Sequence, residues 1–447
     1  MTAARYILKV FVVMLDNQFQ MFLFHLTSLL TTWFPKTGAW FFNTFIPPIG
    51  GNKLLIRHIN RKNLKIVQSV KKFDRILVIP DIHIGDAILA QGGLKVFKDF
   101  FPDARVDFIV KKAVAPLLEG NPNISNLYPV FNGIVFPSEN DLENVRHIAA
   151  ENNYDLCYNC SPFFENESLF PHGQKILNYV TIAPQIIRNE IDQNNNSHIA
   201  FTCYDFADRY LSTNHKIQRT EKYTGVPLTL SDKAVQDAED FLTHSRISPK
   251  KPILFLNPDT ASIYTRMPHH DQVAILKKLA SLDCSILLGV GYTAKNIENE
   301  LLEKMTDEEK SKITIVPPTV SLDAYGALID FCDVFISGDT GPLHLAAARK
   351  VSKSGQHQFR NKTFVISIFG ATPPRLSGYD STNPLYFGAN QDVLSKTYVS
   401  ESPCRNITCV NKMAKTCKKV RCYEFLNTDV IFSDIKTYLN SLSFSSN

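Results

Sequence analysis

From residue 73 onward, short runs of β-branched and aromatic residues alternate with helical stretches. This alternation predicts parallel strands that are joined by crossover helices. A first series predicts strands at 76–80, 105–110, 134–136 and 154–160. A second series predicts strands at 253–258, 285–291, 312–317, 333–337 and 364–370. Two successive series of similar size predict two doubly wound domains, joined near 223–232, where Gly and Pro separate them.

The 447 residues are too many for one core, which agrees with two domains. We predict an N-terminal extension over 1–72, a first Rossmann-like domain over 73–226 and a second over 227–447. In the tail NTDVIFSDIKTYLNSL, apolar residues recur at helical spacing, so a final helix is expected to pack on another element.

The N-terminal extension combines two signals. Residues 7–34 are rich in Phe, Leu and Val but carry polar interruptions, so no apolar run reaches the ~20 residues of a spanning helix. Eight Lys/Arg and one acid then follow between Lys53 and Arg75, a local charge larger than the chain's total of +5. An apolar segment beside a basic cluster predicts peripheral attachment to an anionic membrane. The alternative is a helical hairpin that packs on the globular body. Because the basic charge is confined to this segment, a nucleic-acid partner is not expected.

The nine cysteines are typical of a protein from a reducing compartment. Four of them lie close together near the C-terminus and are candidates for a zinc site: Cys404, Cys409, Cys417 and Cys422. Their spacing departs from the two-residue knuckles of zinc motifs, so ordinary free thiols are the favoured interpretation.

Two strand ends carry the pair Gly-Asp. In IPDIHIGDAILAQGG (79–93), a loop passes through His83, and Gly85-Asp86 opens a helix. In FISGDTGPLHLAAA (335–348), Asp339 and Thr340 lead into a helix start where free amides and the helix dipole favour phosphate. Ligands of doubly wound sheets bind beyond the carboxyl ends of strands, so both turns are candidate binding positions. For Asp86 taken alone, a purely structural role as helix N-cap is favoured.

The combination of ILVIPDIHIGDAILAQGGLKVFKDFFP, ISGDTGPLHLAAA and IFGATPP resembles glycosyltransferase family 9, the family of the lipopolysaccharide heptosyltransferases. The resemblance covers roughly residues 73–440, with the middle region 160–225 matching weakly. It implies the GT-B architecture, in which two Rossmann-like domains face a cleft, and a C-terminal helix that returns toward the N-terminal domain.

The resemblance also implies roles for single residues. Asp86 corresponds to the proposed catalytic base, and His83 and Gly85 lie beside it on the acceptor side of the cleft. The donor sugar and diphosphate are expected at Asp339, Thr340, Gly341 and His344, with the backbone at Leu343. Thr260 is expected beside the phosphates, and Val320 in the pocket for the nucleotide base.

The chain departs from the family pattern in two places. The usual Lys-x-Trp-Pro is replaced by Thr265-Arg266-Met267-Pro268, and Arg266 is expected to supply the lost positive charge to the diphosphate. An acid that usually contacts the ribose falls near Lys295, and Glu298 one turn later is a candidate substitute.

The resemblance implies an inverting transfer of a sugar to a lipopolysaccharide core or another glycolipid. It also implies that the sugar is heptose and that the donor is ADP-heptose. No cofactor is expected, and metal-independent activity is expected because the chain contains no Asp-x-Asp pair. The enzyme is expected in the cytoplasm, on the inner face of the cytoplasmic membrane. Three alternatives stay open: a GT-B epimerase, a non-catalytic nucleotide-sugar-binding protein and, least favoured because GxGxxG is absent, a dinucleotide-dependent dehydrogenase.

Overall fold

The structure is a computed structural model of the chain. It describes residues 65, 72–80, 83–132, 138–159, 175–178, 228, 230–260, 263, 265–291, 293–351, 363–370, 378–379, 395–399 and 421–442. The predicted membrane-associating extension, 1–72, lies outside the described residues apart from Lys65 and Lys72. None of the described helices combines the length and the hydropathy that a membrane crossing requires.

The first domain is built on a five-stranded parallel sheet with the order β3-β2-β1-β4-β5. Its strands are β1 (Arg75–Ile79), β2 (Arg105–Lys111), β3 (Asn126–Phe131), β4 (Leu156–Asn159) and β5 (Lys175–Asn178). Its helices are α1 (Ile84–Phe100), α2 (Ala115–Leu118) and α3 (Glu139–Asn152). The central strand β1 is buried except at its first residue, as expected for a parallel strand covered on both faces.

The third strand differs from the sequence prediction. The segment 134–136 lies outside the described residues, and the strand beside β2 is instead β3, which contains Pro129. A proline cannot donate a ladder hydrogen bond, which argues against a central strand but is tolerated at the edge of a sheet. β3 is such an edge strand. Pro129 therefore argued against a strand in the sequence, although the structure forms one at the edge of the sheet.

The second domain contains a six-stranded parallel sheet with the order β11-β10-β9-β6-β7-β8. Its strands are β6 (Ile253–Asn257), β7 (Ser285–Gly289), β8 (Ile313–Val316), β9 (Val334–Gly338), β10 (Phe364–Phe369) and β11 (Ser395–Val399). Its helices are α4 (Asp232–His244), α5 (His269–Ala280), α6 (Ile297–Leu302), α7 (Asp307–Lys310), α8 (Leu322–Phe331), α9 (Gly341–Val351) and α10 (Thr428–Ser441), with a 3-10 turn at Arg421–Tyr423. The predicted two-domain α/β fold is confirmed.

Helix α4 belongs to the packing of the second domain. Ser231 caps it by accepting a hydrogen bond from the Ala234 N–H, as the sequence predicts. Its buried face joins a cluster that includes Phe255 of β6 and Leu328 of α8. This packing is compatible with a domain boundary near residue 227, which stays a prediction because 201–227 lie outside the described residues.

The tail helix α10 presents the predicted apolar face but packs on a different partner. Ile431, Ile435 and Leu439 are buried in a cluster with β6, β9 and β10 of the second domain. The Lys278 ammonium of α5 lies 2.6 Å from Asp429 at the start of α10. The expectation that this helix returns to the first domain is wrong for the described segment, because its apolar stripe matches the outer face of the second sheet.

Candidate active site

The two Gly-Asp turns meet where the domains touch. A Cβ atom added to Gly85 would lie 2.4 Å from Cδ2 of His344, and one added to Gly341 would lie 2.7 Å from Cβ of Ile84. Each glycine therefore allows the start of α1 to approach the start of α9, since any side chain would collide. The two predicted halves of the site, 254 residues apart between Gly85 and Asp339 in the sequence, are brought together by this contact.

Asp86 is the third residue of α1 and is not its cap. The N-cap is His83, whose side chain makes no capping hydrogen bond. The Asp86 carboxylate lies 3.9 Å from Nδ1 of His83, and the side chains are 43% and 39% exposed, respectively. The interpretation of Asp86 as a structural N-cap is therefore wrong. A carboxylate in the first turn is stabilised by the helix dipole and remains open to solvent and to a ligand.

Asp339 stands before its helix instead of inside it. β9 ends at Gly338, Asp339 and Thr340 form the turn, and α9 begins at Gly341 with Pro342 in the first turn. The side chain of Asp339 is 18% exposed, much less than that of Asp86. The first N–H groups of a helix have no intrahelical acceptor, so this turn can donate to an anion.

Within this turn, Leu343 serves the fold. Its side chain is fully buried, and its N–H donates to the Thr340 carbonyl at 3.0 Å. That internal bond occupies the backbone donor that the resemblance assigned to the ligand. The predicted contact of Leu343 with the nucleotide sugar stays a prediction, and Thr340 and Gly341 stand at the helix start, where N–H groups have no intrahelical acceptor.

His344 is enclosed by three neighbours. Its Nδ1 lies 2.7 Å from the Tyr379 hydroxyl, its Nε2 lies 3.9 Å from Asp339 Oδ1, and Gly85 covers the ring edge. Burial lowers the pKa of His344, opposed by the Asp339 carboxylate, which favours the neutral imidazole. Tyr379 was not found from the sequence, since it follows IFGATPP without any motif of its own.

The loop after β6 holds Thr260, Thr265 and Arg266. The Thr260 and Thr265 hydroxyls are 3.0 Å apart, and a Cβ on Gly338 would lie 3.0 Å from the Thr260 methyl carbon. This loop therefore packs directly beside the end of β9. Thr260 lies near the second Gly-Asp turn, as its predicted position beside the phosphates requires.

Arg266 is engaged in a buried ion pair that the sequence did not reveal. Its guanidinium donates to Asp259 Oδ1 at 2.6 Å and to the Thr260 carbonyl at 3.1 Å. Asp259 also accepts from the N–H groups of Thr293 and Ala294. Because Asp259 neutralises the guanidinium, the charge that Arg266 can offer a diphosphate is smaller than the sequence suggested. Met267 turns into the core and is 7% exposed.

A buried polar network supports this loop from below. The Tyr325 hydroxyl donates to Asn257 Oδ1 at 3.2 Å, and the Asn257 amide donates to the Asp259 carbonyl and to the Ser337 hydroxyl. Satisfied buried networks fix the geometry of the groups they join. The network connects the end of β6 to the end of β9. The residues predicted to bind the nucleotide sugar follow these two strands.

Two further predicted residues follow the outer strands β7 and β8. Glu298 is 9% exposed and accepts from the Gly291 N–H at 3.2 Å, so it orders the loop after β7, whereas Lys295 is exposed. Val320 lies in the turn between β8 and α8, where its N–H donates to the Pro317 carbonyl. Both stay predicted ligand contacts, and both lie at the carboxyl edge of the sheet.

The zinc hypothesis falls largely outside the described residues. Cys404, Cys409 and Cys417 are among those not described, and Cys422 is buried and is not part of a disulfide. In the part of the chain that the structure covers, no three His, Cys, Asp or Glu side chains come together as a metal site would require.

Comparison with known proteins shows which sequences this chain is similar to. A family model described as "Glycosyltransferase family 9 (heptosyltransferase)" matches residues 202–415, which include the second Gly-Asp turn but not Asp86. Lipopolysaccharide heptosyltransferase 3 of Escherichia coli (strain K12) is 24% identical over 309 residues, 64% of this chain and 80% of that protein. Lipopolysaccharide heptosyltransferase 2 of Salmonella typhimurium is 21% identical over 290 residues, 61% and 80% of the two chains.

Solved structures share the fold. A glycosyl transferase of family 9 from Veillonella parvula superposes with a TM-score of 0.61 at 15% identity, over 83% of this chain and 98% of its own. The E. coli ADP-heptose LPS heptosyltransferase II gives 0.54 at 14% identity, over 82% and 98%. Residues 202–415 of this chain therefore match glycosyltransferase family 9, the related sequences are lipopolysaccharide heptosyltransferases, and the chain shares the GT-B fold of the solved structures.

Proposed function

We propose that this protein is an inverting glycosyltransferase that moves heptose from ADP-heptose to a lipopolysaccharide core or another glycolipid. The observation that carries the proposal is the contact between Gly85 and His344, which sets Asp86 and the Asp339 turn at one junction between the domains. One side offers a partly exposed carboxylate, and the other offers a helix start suited to phosphate. Inverting transfer from a nucleotide-diphosphate sugar needs a base for the acceptor hydroxyl and a group that stabilises the departing diphosphate.

In the proposed mechanism, an acceptor hydroxyl attacks the anomeric carbon of the donor while Asp86 takes its proton. Its partial exposure leaves Asp86 accessible to an acceptor. The bond to the departing diphosphate breaks as the first turn of α9, near Thr340 and Gly341, stabilises the developing negative charge. Arg266 acts mainly by holding the Thr260 carbonyl in place, since Asp259 takes up much of its charge.

The identity of the substrates is supported by the names of the relatives. Two of them are called lipopolysaccharide heptosyltransferases, and one structural neighbour is named for ADP-heptose. A lipid-linked acceptor also agrees with the predicted membrane attachment of residues 1–72, on the inner face of the cytoplasmic membrane. Flotation of the full chain with vesicles of anionic phospholipid, compared with a chain that lacks residues 1–70, tests that attachment. Equal flotation of both would contradict it.

The proposed reaction needs no metal. The chain lacks the Asp-x-Asp pair that commonly holds a metal on a donor diphosphate, and a helix start can stabilise the leaving group in its place. We expect transfer rates in excess EDTA to stay within about twofold of those without EDTA. Loss of activity in EDTA that is restored by magnesium would contradict this part of the proposal.

The central experiment measures first the binding of nucleotide sugars and then the formation of product. Thermal shift with ADP-, UDP- and GDP-linked sugars should show the largest stabilisation with ADP-heptose, because a ligand of the native state raises apparent stability by mass action. Mass spectrometry should then detect the glycosylated product when a heptose-deficient lipopolysaccharide is added. Stabilisation by a different nucleotide sugar would refute the donor assignment and leave the reaction class intact.

A non-catalytic nucleotide-sugar-binding protein is the second candidate. It is favoured by Thr265 and Met267 in place of the usual Lys and Trp, and by the neutralisation of Arg266. Binding of a nucleotide sugar without turnover on any acceptor would support this candidate. Conversion of the nucleotide sugar in the absence of an acceptor would instead indicate an epimerase.

A further inference from the structure

The buried pair of His344 and Tyr379 has no role in the mechanism described above. The side chains are 6% and 5% exposed, their rings meet edge to face at 5.7 Å, and the Tyr379 hydroxyl lies 2.7 Å from His344 Nδ1. A neutral imidazole carries one N–H hydrogen. If one ring nitrogen accepts a hydrogen bond, the other ring nitrogen must therefore carry the hydrogen and act as a donor.

The surroundings decide which nitrogen carries that proton. Burial, and then the Asp339 carboxylate, raise the pKa of Tyr379, so its O–H stays protonated and can donate to Nδ1. On the opposite side of the ring, Nε2 faces Asp339 Oδ1 at 3.9 Å, and a nearby carboxylate favours hydrogen on the nitrogen that faces it. The Asp339 carboxylate therefore favours hydrogen on Nε2, and the Tyr379 hydroxyl fits that tautomer by donating to Nδ1.

The position of Nε2 decides where the N–H of this tautomer can donate a hydrogen bond. A Cβ on Gly85 would lie 3.2 Å from Nε2, so this atom stands at the junction of the two helix starts, between Gly85 and Asp339. An N–H at that point can donate to an oxygen of a ligand that spans the junction. The opposite tautomer would present a lone pair there, which repels a phosphate or sugar oxygen.

We propose that Tyr379 is a positioning residue, which holds His344 in the Nε2–H tautomer and so directs an N–H donor into the junction between the two helix starts. The ligand that receives this donor is the diphosphate or the adjoining sugar oxygen of a nucleotide sugar, and this part rests on the proposed function. The tautomer itself does not depend on the reaction.

The test begins with the ligand-free full chain. Selective ¹⁵N-histidine labelling and long-range ¹H–¹⁵N correlation spectra distinguish the tautomers, and the His344 signals are assigned as those lost in His344→Gln. We expect wild-type His344 to give the Nε2–H pattern. In Tyr379→Phe, the pattern should move toward a mixture of tautomers, because Nδ1 has lost its donor.

The matched control is Tyr398→Phe in the same domain. Tyr398 donates to Asp434 of the tail helix, away from the junction, so its loss should leave the His344 signals unchanged. Activity provides the second readout: we expect kcat/KM for ADP-heptose to fall about five- to tenfold in Tyr379→Phe, the effect of one hydrogen bond, and to stay within twofold in Tyr398→Phe.

The outcomes separate two failures. An Nδ1–H pattern in the wild-type protein, or identical His344 signals in wild type and Tyr379→Phe, overturns the positioning role whatever the reaction is. The expected spectra without turnover of any nucleotide sugar would support the tautomer assignment and count against the proposed function. The expected spectra together with unchanged kcat/KM in Tyr379→Phe would overturn the claim that this N–H serves the donor.

Discussion

The starts of α1 and α9 both follow a central strand and both contain Gly-Asp, yet the two carboxylates stand in different places. Asp86 lies inside its helix, in the first turn, and 43% of its side chain is exposed. Asp339 lies before its helix, at the end of β9, and only 18% of its side chain is exposed. In the first Gly-Asp pair, α1 begins at Ile84, one residue before Gly85. In the second pair, α9 begins at Gly341, two residues after Asp339.

This difference separates two kinds of chemistry. An exposed carboxylate can accept a proton from an incoming hydroxyl, which is the task of a general base. An enclosed carboxylate beside a helix start is better suited to accept hydrogen bonds from a bound sugar. The comparison teaches that the position of Asp relative to the helix start, and not the Gly-Asp pair itself, decides the function that each turn can serve.

The largest expected effect comes from Asp86→Asn. Loss of a general base typically lowers the rate by about 10² to 10⁴, so kcat should fall by that factor while the affinity for the nucleotide sugar stays within about twofold. Steady-state kinetics and isothermal titration measure the two quantities separately. A kcat within a few-fold of wild type would remove Asp86 from the proposed mechanism.

Asp339→Asn is the matched change in the second turn. Here we expect the affinity for the nucleotide sugar to fall about 10- to 100-fold, because a charged acceptor of hydrogen bonds is lost, with a smaller effect on kcat. Affinity for the sugar-free nucleotide should change less. If both Asp→Asn variants reduced kcat equally and bound the donor normally, the contrast between the two turns would fail.

Gly85→Ala tests the contact that joins the turns. The new methyl carbon would lie 2.4 Å from the buried His344 ring, and overpacking of this kind costs about 1–3 kcal/mol of unfolding free energy. Urea denaturation measures the cost, and kcat/KM should fall with it as the turns separate. In the control Gly326→Ala, the nearest atoms are leucine methyl groups at 3.3–3.4 Å that can shift, so stability should stay near wild type.

The smallest expected effect is a pH dependence of stability. Burial lowers the pKa of His344 below its ordinary value of 6.5, so at mildly acidic pH the unfolded chain binds a proton there that the folded protein does not. The contribution to stability is therefore present above about pH 6.5 and is lost as the pH falls below it. Urea unfolding between about pH 5 and 7.5 should show a shallower dependence in His344→Gln than in wild type. Equal slopes would contradict a neutral buried His344.

Several features of the fold were predictable because they depend on local pattern. Continuous apolar runs and the helical stretches between them located five of the six strands of the second sheet, β6 to β10, and the capped helix α4. β3 was missed because Pro129 opposes a strand locally, and only its place at the sheet edge makes it acceptable. The tail helix showed its apolar face in the sequence, but an apolar stripe does not specify which surface covers it.

The sequence by itself determined that two doubly wound domains form and that each places a Gly-Asp turn beyond a central strand, because strand and helix periodicities and turn residues act over short distances. Only the tertiary structure decided that Gly85 packs against His344, that Tyr379 binds the ring of His344, and that Asp259 neutralises Arg266. Contacts of this kind join residues of different strands and loops, and they depend on side-chain distances of a few ångströms. No spacing along the chain encodes those distances, which is why the pairings appear only when the two sheets are folded and in contact.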